Sequence, residues 1–171
     1  MHSEDESVTD ASPVALTSRH VSRVPSPALL LGLAGLIPQL WAFAEVSLGD
    51  PEGRFTALAS AFAYAALILS FLGGMWWGLL ARARDADAAP IWLWIAAVMP
   101  SLLALASTVP WAVGAEWPGP SLVFLGLTLL ASLTIDYRLV RNGVAPPWWM
   151  RLRVPLSIGL GGLTMAIGVM A

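Results

Sequence analysis

The chain contains no lysine and no cysteine, and charged residues make up only 12% of its 171 residues. The missing cysteines exclude disulfides, thiolate metal sites and thiol nucleophiles. Soluble domains carry about 25% charged residues, so this chain has roughly half the usual share. Both histidines, His2 and His20, lie before the first apolar stretch. Beyond them no Ser/His/Asp arrangement is available, and no acidic residues stand at metal-ligand spacing. We therefore expect no catalytic residue, no metal and no cofactor.

Apolar residues are abundant instead, at 57% of the chain, and they gather in five long stretches. A run of about 20 apolar residues is long enough for a helix to cross a bilayer. The pattern predicts an all-α integral membrane protein, a bundle of five transmembrane helices in one domain over residues 25–171. The preceding segment 1–24 is polar and mixed in charge, and we expect a disordered cytoplasmic tail. The expected helices cover residues 27–46, 55–80, 90–111, 120–139 and 155–171.

The arginines are distributed unevenly between the two sides of this five-span arrangement. One of them, Arg54, falls on the side whose segments are otherwise acidic, and the other eight fall on the opposite side. Cytoplasmic loops of membrane proteins collect Lys and Arg, so the N-terminus is predicted inside and the C-terminus outside. The eight arginines on the predicted inner side are Arg19, Arg23, Arg82, Arg84, Arg138, Arg141, Arg151 and Arg153.

Small residues are spaced most regularly in span two. Ala66, Ser70, Gly74 and Gly78 recur every four residues and so share one helix face, and Gly73 adjoins them. Lipid gives helices no hydrophobic drive to associate, so close contact between small residues must supply it. We predict that this face packs against another backbone and that span two is the central helix. A second, neighbouring stripe consists of Ala57, Ala61 and Ala65.

Asp136 is the ionisable residue that lies most clearly inside a span, about one helical turn from the inner end of span four. An intramembrane acid is costly and is by default a functional hypothesis. It has no charged residue three or four positions ahead of it, so its partner must come from another segment. We expect a structural ion pair, with a proton or substrate relay and a solvated, snorkelling acid as the alternatives. The favoured partners are Arg151 and Arg153, followed by Arg82 and Arg84.

Two polar residues stand beside prolines inside predicted spans. Gln39 follows Pro38 and Ser101 follows Pro100. Proline removes a helical hydrogen bond, and broken helices can line a site at mid-membrane. Gln39 and Ser101 are therefore candidates for a polar pathway, whereas most serines and threonines in the spans are expected to bond back to a helix.

The segment between spans four and five is basic and aromatic. Arg138, Arg141, Trp148 and Trp149 are expected to contact anionic headgroups at the inner face. The sharper alternative is a site for a specific anionic lipid or a protein partner. The other tryptophans also fall near predicted span ends, where indoles meet both lipid and water.

The segment Tyr64 to Gly78 reads YAALILSFLGGMWWG. It resembles the hallmark second span of a small membrane family, the domain of unknown function 3429, which is related to mitochondrial transmembrane protein 69. The family pattern has an aromatic, Ala, ILSFLGG, a variable pair and WG, and the pair often carries His or Arg where this chain has Trp76. Further matches are Met99-Pro-Ser-Leu102, Asp136-Tyr, Pro147-Trp-Trp and Leu152-Arg. The resemblance covers spans two to five and implies a five-span helical protein of bacterial inner membranes or mitochondria, with no activity attached.

Together these patterns indicate an inner-membrane protein without enzymatic activity. The first hypothesis is a structural, assembly or partner-binding element that contacts the lipid bilayer and a membrane protein partner or further copies of itself. A small-solute transporter or channel subunit is the alternative, and an intramembrane enzyme is disfavoured by the missing Cys, His and acid pairs. Nothing indicates binding to nucleic acid.

Overall fold

The structure is a computed structural model that describes residues 23–83 and 89–171. Five segments of it are helical, long enough and apolar enough to cross a membrane. We call them spans one to five in chain order, and no strand occurs in the described residues. The expected disordered tail lies almost entirely outside the described residues, as do Arg19 and Arg84. The spans are Ser26–Leu48, Pro51–Ala81, Ile91–Ala112, Gly119–Arg141 and Trp149–Met170.

Three of the five spans are divided into two helices each. Span one divides before Pro38, where the Tyr64 hydroxyl donates a hydrogen bond to the Gly35 carbonyl. Span four divides at Ser132, which the sequence did not indicate because no proline or glycine stands there. Span three ends in a short separate turn, whereas Pro100 lies buried inside its main helix. The helices are α1 Ser26–Ala34, α2 Ile37–Leu48, α3 Pro51–Ala81, α4 Ile91–Ala106, α5 Val109–Ala112, α6 Gly119–Ala131, α7 Leu133–Arg141 and α8 Trp149–Met170.

Two helices begin four or more residues earlier than the sequence predicted. α3 begins at Pro51 because proline suits the first helical position, so residues 51–54, which were predicted to lie outside span two, form its first turn. Its 31 residues rise about 46 Å, more than a bilayer core is thick, so this helix must tilt or project. α8 begins at Trp149 and contains Pro155 in its interior. The extra residues bring Trp149 and Arg153 onto a helix and bury both of them.

α3 occupies the centre of the bundle, as predicted for span two. It contacts helices from all four other spans, and α8 is the second central helix, in contact with α1, α2, α3, α6 and α7. The buried face of α3 carries the alanine stripe at its start and larger side chains further on. These residues are Ala57, Ala61, Ala65, Leu69, Leu72, Trp76 and Leu80.

The predicted small-residue face of α3 is only partly a packing face, which corrects the prediction. Gly73 lies against α4, where an added Cβ would overlap the Ala97 carbonyl oxygen. Ala66 packs against the core, and the Ser70 hydroxyl lies 3.0 Å from that of Ser101 on α4.

Gly74 and Gly78 do not pack against the other described residues. A Cβ added at either position would meet no described atom within 4 Å. The physical reason is the helical rotation of about 100° per residue, which turns Gly74 away from the contact that Gly73 makes.

Reciprocal glycine packing joins α6 and α8, which run antiparallel. A Cβ on Gly126 would lie 2.7 Å from the Gly161 carbonyl oxygen, and one on Gly161 would lie 3.0 Å from the Gly126 carbonyl oxygen. Seven residues away on each helix, Gly119 and Gly168 make the same reciprocal approach at 3.0 and 2.8 Å. These two glycine pairs let the backbones of spans four and five touch, where dispersion contacts are the available drive.

The two ends of the bundle differ in charge. Arg82, Arg138, Arg141 and Arg151 lie at the end where α3 and α7 finish and α8 begins, and we call this the arginine-rich end. At the opposite end, the Arg54 guanidinium donates hydrogen bonds to the carbonyls of Val46 in α2 and Met170 in α8. The last carbonyls of a helix lack partners within it, so a single arginine joins the ends of two helices there to α3.

Candidate functional site

Asp136 lies in the first turn of α7 because span four divides at Ser132. The sequence had placed it near the C-terminal end of one long helix, where the macrodipole disfavours an anion. The division reverses this effect, since the first turn of a helix favours negative charge. The side chain points into the bundle and is completely buried.

Three donors surround the Asp136 carboxylate. The Arg153 Nε lies 2.8 Å from Oδ2, which makes an ion pair. The indole Nε1 atoms of Trp76 and Trp149 lie 2.9 and 2.8 Å from Oδ1. A second Arg153 nitrogen, Nη2, lies 3.3 Å from the hydroxyl of Ser132. We call these five residues the carboxylate cluster.

The carboxylate cluster ties three spans together. Trp76 comes from span two, Ser132 and Asp136 from span four, and Trp149 and Arg153 from span five. Trp149 and Arg153 are four residues apart on α8, so both face the same neighbour. A buried charge is tolerated when it is paired and its remaining lone pairs accept hydrogen bonds, and this carboxylate meets both conditions.

The chemistry open to this arrangement is narrow. Asp136 and Arg153 balance in charge, and each carboxylate oxygen already accepts from a donor. The cluster contains no histidine, cysteine or second acid, and the described residues include no group of three acids or histidines that could hold a metal. A completely buried carboxylate engaged in this way is suited to fixing helix positions rather than to attacking or deprotonating a substrate.

The predicted arginine partners of Asp136 take different positions. Arg153 forms the pair, whereas Arg151 is exposed on another face of α8. Arg82 is also exposed, and Arg84 lies outside the described residues.

Sequence reasoning missed both indole donors. It assigned Trp149 to headgroup contact, but the side chain is only 7% exposed and bonds to Asp136, which corrects that assignment. Trp76 was likewise placed at the interface and is buried. A signal was present at Trp76, because the His or Arg that the resemblance implies there would also donate a hydrogen bond.

The candidate polar pathway residues lie apart from the cluster. The Gln39 side-chain nitrogen donates to the Thr164 hydroxyl at 2.8 Å, between α2 and α8. Ser101 lies on α4 beside Ser70. The Ser132, Trp76 and Pro100 side chains border an open pocket of about 300 Å³, and neither Gln39 nor Ser101 lines it. The structure therefore does not bring Gln39, Ser101 and Asp136 to one site.

The predicted headgroup residues divide into exposed and covered ones. Arg138 and Arg141 are exposed at the arginine-rich end, and Trp148 is half-buried against Trp149. The Arg138 guanidinium lies 5.6 Å from the centre of the Trp92 ring, and that of Arg141 lies 5.9 Å from the ring of Tyr137. Both arginines line an open groove of about 860 Å³.

Comparison with known proteins places the chain among membrane proteins without an assigned activity. A family model described as "Protein of unknown function (DUF3429)" matches residues 24–170. Transmembrane protein 69 of Xenopus tropicalis is 35% identical over an alignment of 138 residues, and the match covers 78% of this chain and 50% of that protein. The chain therefore spans about half the length of this relative. No solved structure matches the chain.

Proposed function

The chain belongs to the DUF3429 family of membrane proteins, and we propose that it acts without catalysis as a structural, assembly or partner-binding element. The observation that supports this proposal is the use of its intramembrane polar groups. Several of them are engaged with one another at three separate contacts, namely the carboxylate cluster, the Gln39–Thr164 bond and the Ser70–Ser101 contact. Each contact joins different helices, so the polar groups serve the packing of the bundle.

The proposed setting is a bacterial inner membrane, crossed five times with the N-terminus inside and the C-terminus outside. The arginine-rich end of the bundle supports this orientation, since cytoplasmic ends collect arginine. Reporter fusions after Ala171 test it. A reporter that works only in the periplasm should be active when fused after Ala171. Activity of a cytoplasmic reporter at the same fusion site would contradict the proposed orientation.

The partner-binding role is tested best in native membranes. A photo-crosslinking amino acid is introduced singly at lipid-facing positions, one on each span, and adducts are identified by mass spectrometry. We expect a discrete protein adduct, with a second copy of the chain or a different membrane protein, from one face of the bundle and none from the opposite face. Lipid adducts alone from every position would contradict the proposal. Suitable exposed positions are Leu30, Gly74, Ile95, Leu127 and Ile158.

A small-solute transporter is the second candidate because two buried side-chain oxygens, one on α2 and one on α8, have no hydrogen-bond partner among the described residues. These oxygens are Gln39 Oε1 and Ser157 Oγ. Ser157 lies one turn after Arg153 on the buried face of α8. Buried polar groups therefore continue from the carboxylate cluster toward the middle of this helix. Proteoliposomes assayed for proton and small-ion flux test this candidate. Flux that depends on Gln39 and Ser157 would favour it over the structural role.

A further inference from the structure

The groove beside Arg138 and Arg141 has two guanidinium groups at its mouth. Both sit on α7, one turn apart, and each lies beside an aromatic ring, Trp92 for Arg138 and Tyr137 for Arg141. A ring beneath the planar guanidinium holds its position and leaves the N–H groups at its edge available to donate. Within the described part of the chain, neither arginine forms a side-chain hydrogen bond or salt bridge that would occupy those donors.

The described residues that line the groove carry an unbalanced charge. No carboxylate is present among the described residues that line it. The nearest acid on the same helix, Asp136, is completely buried and paired with Arg153, so it does not neutralise either arginine. Among the described residues, the groove therefore presents two positive charges with available donors and no anion, and this arrangement is complementary to a phosphate group, which planar guanidinium groups recognise in a bidentate manner.

The depth of the groove distinguishes a phospholipid from a free phosphate as its ligand. It runs from Arg141 along α7 to Leu133, a rise of about 12 Å toward the bilayer centre. Thr134 lies at the deep end, and its hydroxyl is already bonded to the Ala131 carbonyl. The deep end therefore presents aliphatic surface, which a free phosphate does not need and an acyl chain does.

We propose that this groove binds one anionic phospholipid, with its phosphodiester between Arg138 and Arg141 and an acyl chain over Leu133 and Thr134. The site is separate from the carboxylate cluster and does not depend on the proposed partner-binding role. It differs from general headgroup attraction because it requires a particular pair of arginines rather than the total charge of that end.

The test uses the full-length chain in a mild nonionic detergent and native mass spectrometry, which resolves each bound lipid. Short-chain phosphatidylglycerol is titrated against the parent protein and against the double variant Arg138→Gln/Arg141→Gln. The matched control is Arg23→Gln/Arg82→Gln, which removes the same charge from exposed positions at the same end. Short-chain phosphatidylcholine and glycerol phosphate are titrated in parallel. They separate the contribution of the negative headgroup charge from that of the acyl chains.

We expect one tightly bound phosphatidylglycerol on the parent and on the control. Loss of the charge-assisted bonds should weaken its binding to Arg138→Gln/Arg141→Gln by about tenfold or more. A second variant, Thr134→Trp, keeps both charges but fills the deep end, and it should also weaken binding. This variant decides the matter if the double variant fails to fold.

Three results would overturn the proposal. Equal binding of phosphatidylcholine would remove the role of charge, and equal binding of glycerol phosphate would remove the role of the chain. Equal loss of affinity in the Arg23→Gln/Arg82→Gln control would show that only the total charge of this end matters.

Discussion

Gly73 and Gly74 are adjacent glycines that face different directions on α3, about 100° apart, and they offer a matched pair of substitutions. A methyl group added at Gly73 would overlap the Ala97 carbonyl oxygen and lie 3.4 Å from the Cβ and Cδ atoms of Pro100. The obstacle is backbone, which cannot turn aside as a flexible side chain can. A methyl group added at Gly74 meets no atom of the described residues within 4 Å.

The expected difference in the free energy of unfolding follows from comparing Gly73→Ala with Gly74→Ala. Both variants gain about 1 kcal/mol from replacing glycine within a helix, so this gain cancels between them. Overpacking typically costs about 1–3 kcal/mol, and it applies to Gly73→Ala alone. The free energy of unfolding should therefore be about 1–3 kcal/mol lower for Gly73→Ala than for Gly74→Ala.

The assay is reversible unfolding of the purified protein in detergent micelles, in which membrane partners are absent. Gly74→Leu should also accumulate and unfold like the parent, although the sequence alone had predicted the opposite. Equal stability of Gly73→Ala and Gly74→Ala would refute the close approach of α3 and α4.

Two further predictions concern polar contacts between helices. Thr164→Val removes the acceptor of the buried Gln39 amide and should lower stability by about 1–3 kcal/mol. Adding Gln39→Leu should recover much of that loss, because the unpaired group is then removed as well, and a double-mutant cycle by thermal unfolding measures this. Arg54→Gln should weaken the opposite end of the bundle by about 1.5 kcal/mol, the low side of the range for charged hydrogen bonds, because the site is half-exposed. Faster hydrogen exchange near Val46 and Met170 would reveal the local loosening, and unchanged exchange there would contradict it.

The positions of the spans could be predicted because a bilayer sets the length of an apolar helix. The exact starts of α3 and α8 could not, since a proline near a boundary fits both the first turn and the interior of a helix. Pro51 lies in the first turn of α3, whereas Pro155 lies in the interior of α8. The division at Ser132 could not be predicted because no proline or glycine lies at that point.

The buried site was predictable in part. An acid inside a span required a cation, and the sequence restricted the choice to a few arginines, of which Arg153 makes the contact. The two indole donors were missed because tryptophans near span ends are commonly assigned to headgroup depth. The small-residue face of α3 was misjudged because two stripes one residue apart are equally plausible from spacing. Only the tertiary contacts show that the alanine stripe and Gly73 face the neighbours.

The coupling between Asp136 and Arg153 tests most directly whether the intramembrane polar groups hold the bundle together. Unfolding free energies are measured in bicelles for Asp136→Asn, Arg153→Met and the double variant, with Arg82→Met as the exposed control. Single interhelical hydrogen bonds in membranes average about 0.6 kcal/mol, whereas breaking a buried ion pair costs about 3–5 kcal/mol. We predict a loss of about 3 kcal/mol or more for Asp136→Asn, a coupling to Arg153 of about 2–3 kcal/mol and none to Arg82. Unchanged stability of Asp136→Asn, together with zero coupling to Arg153, would contradict the account.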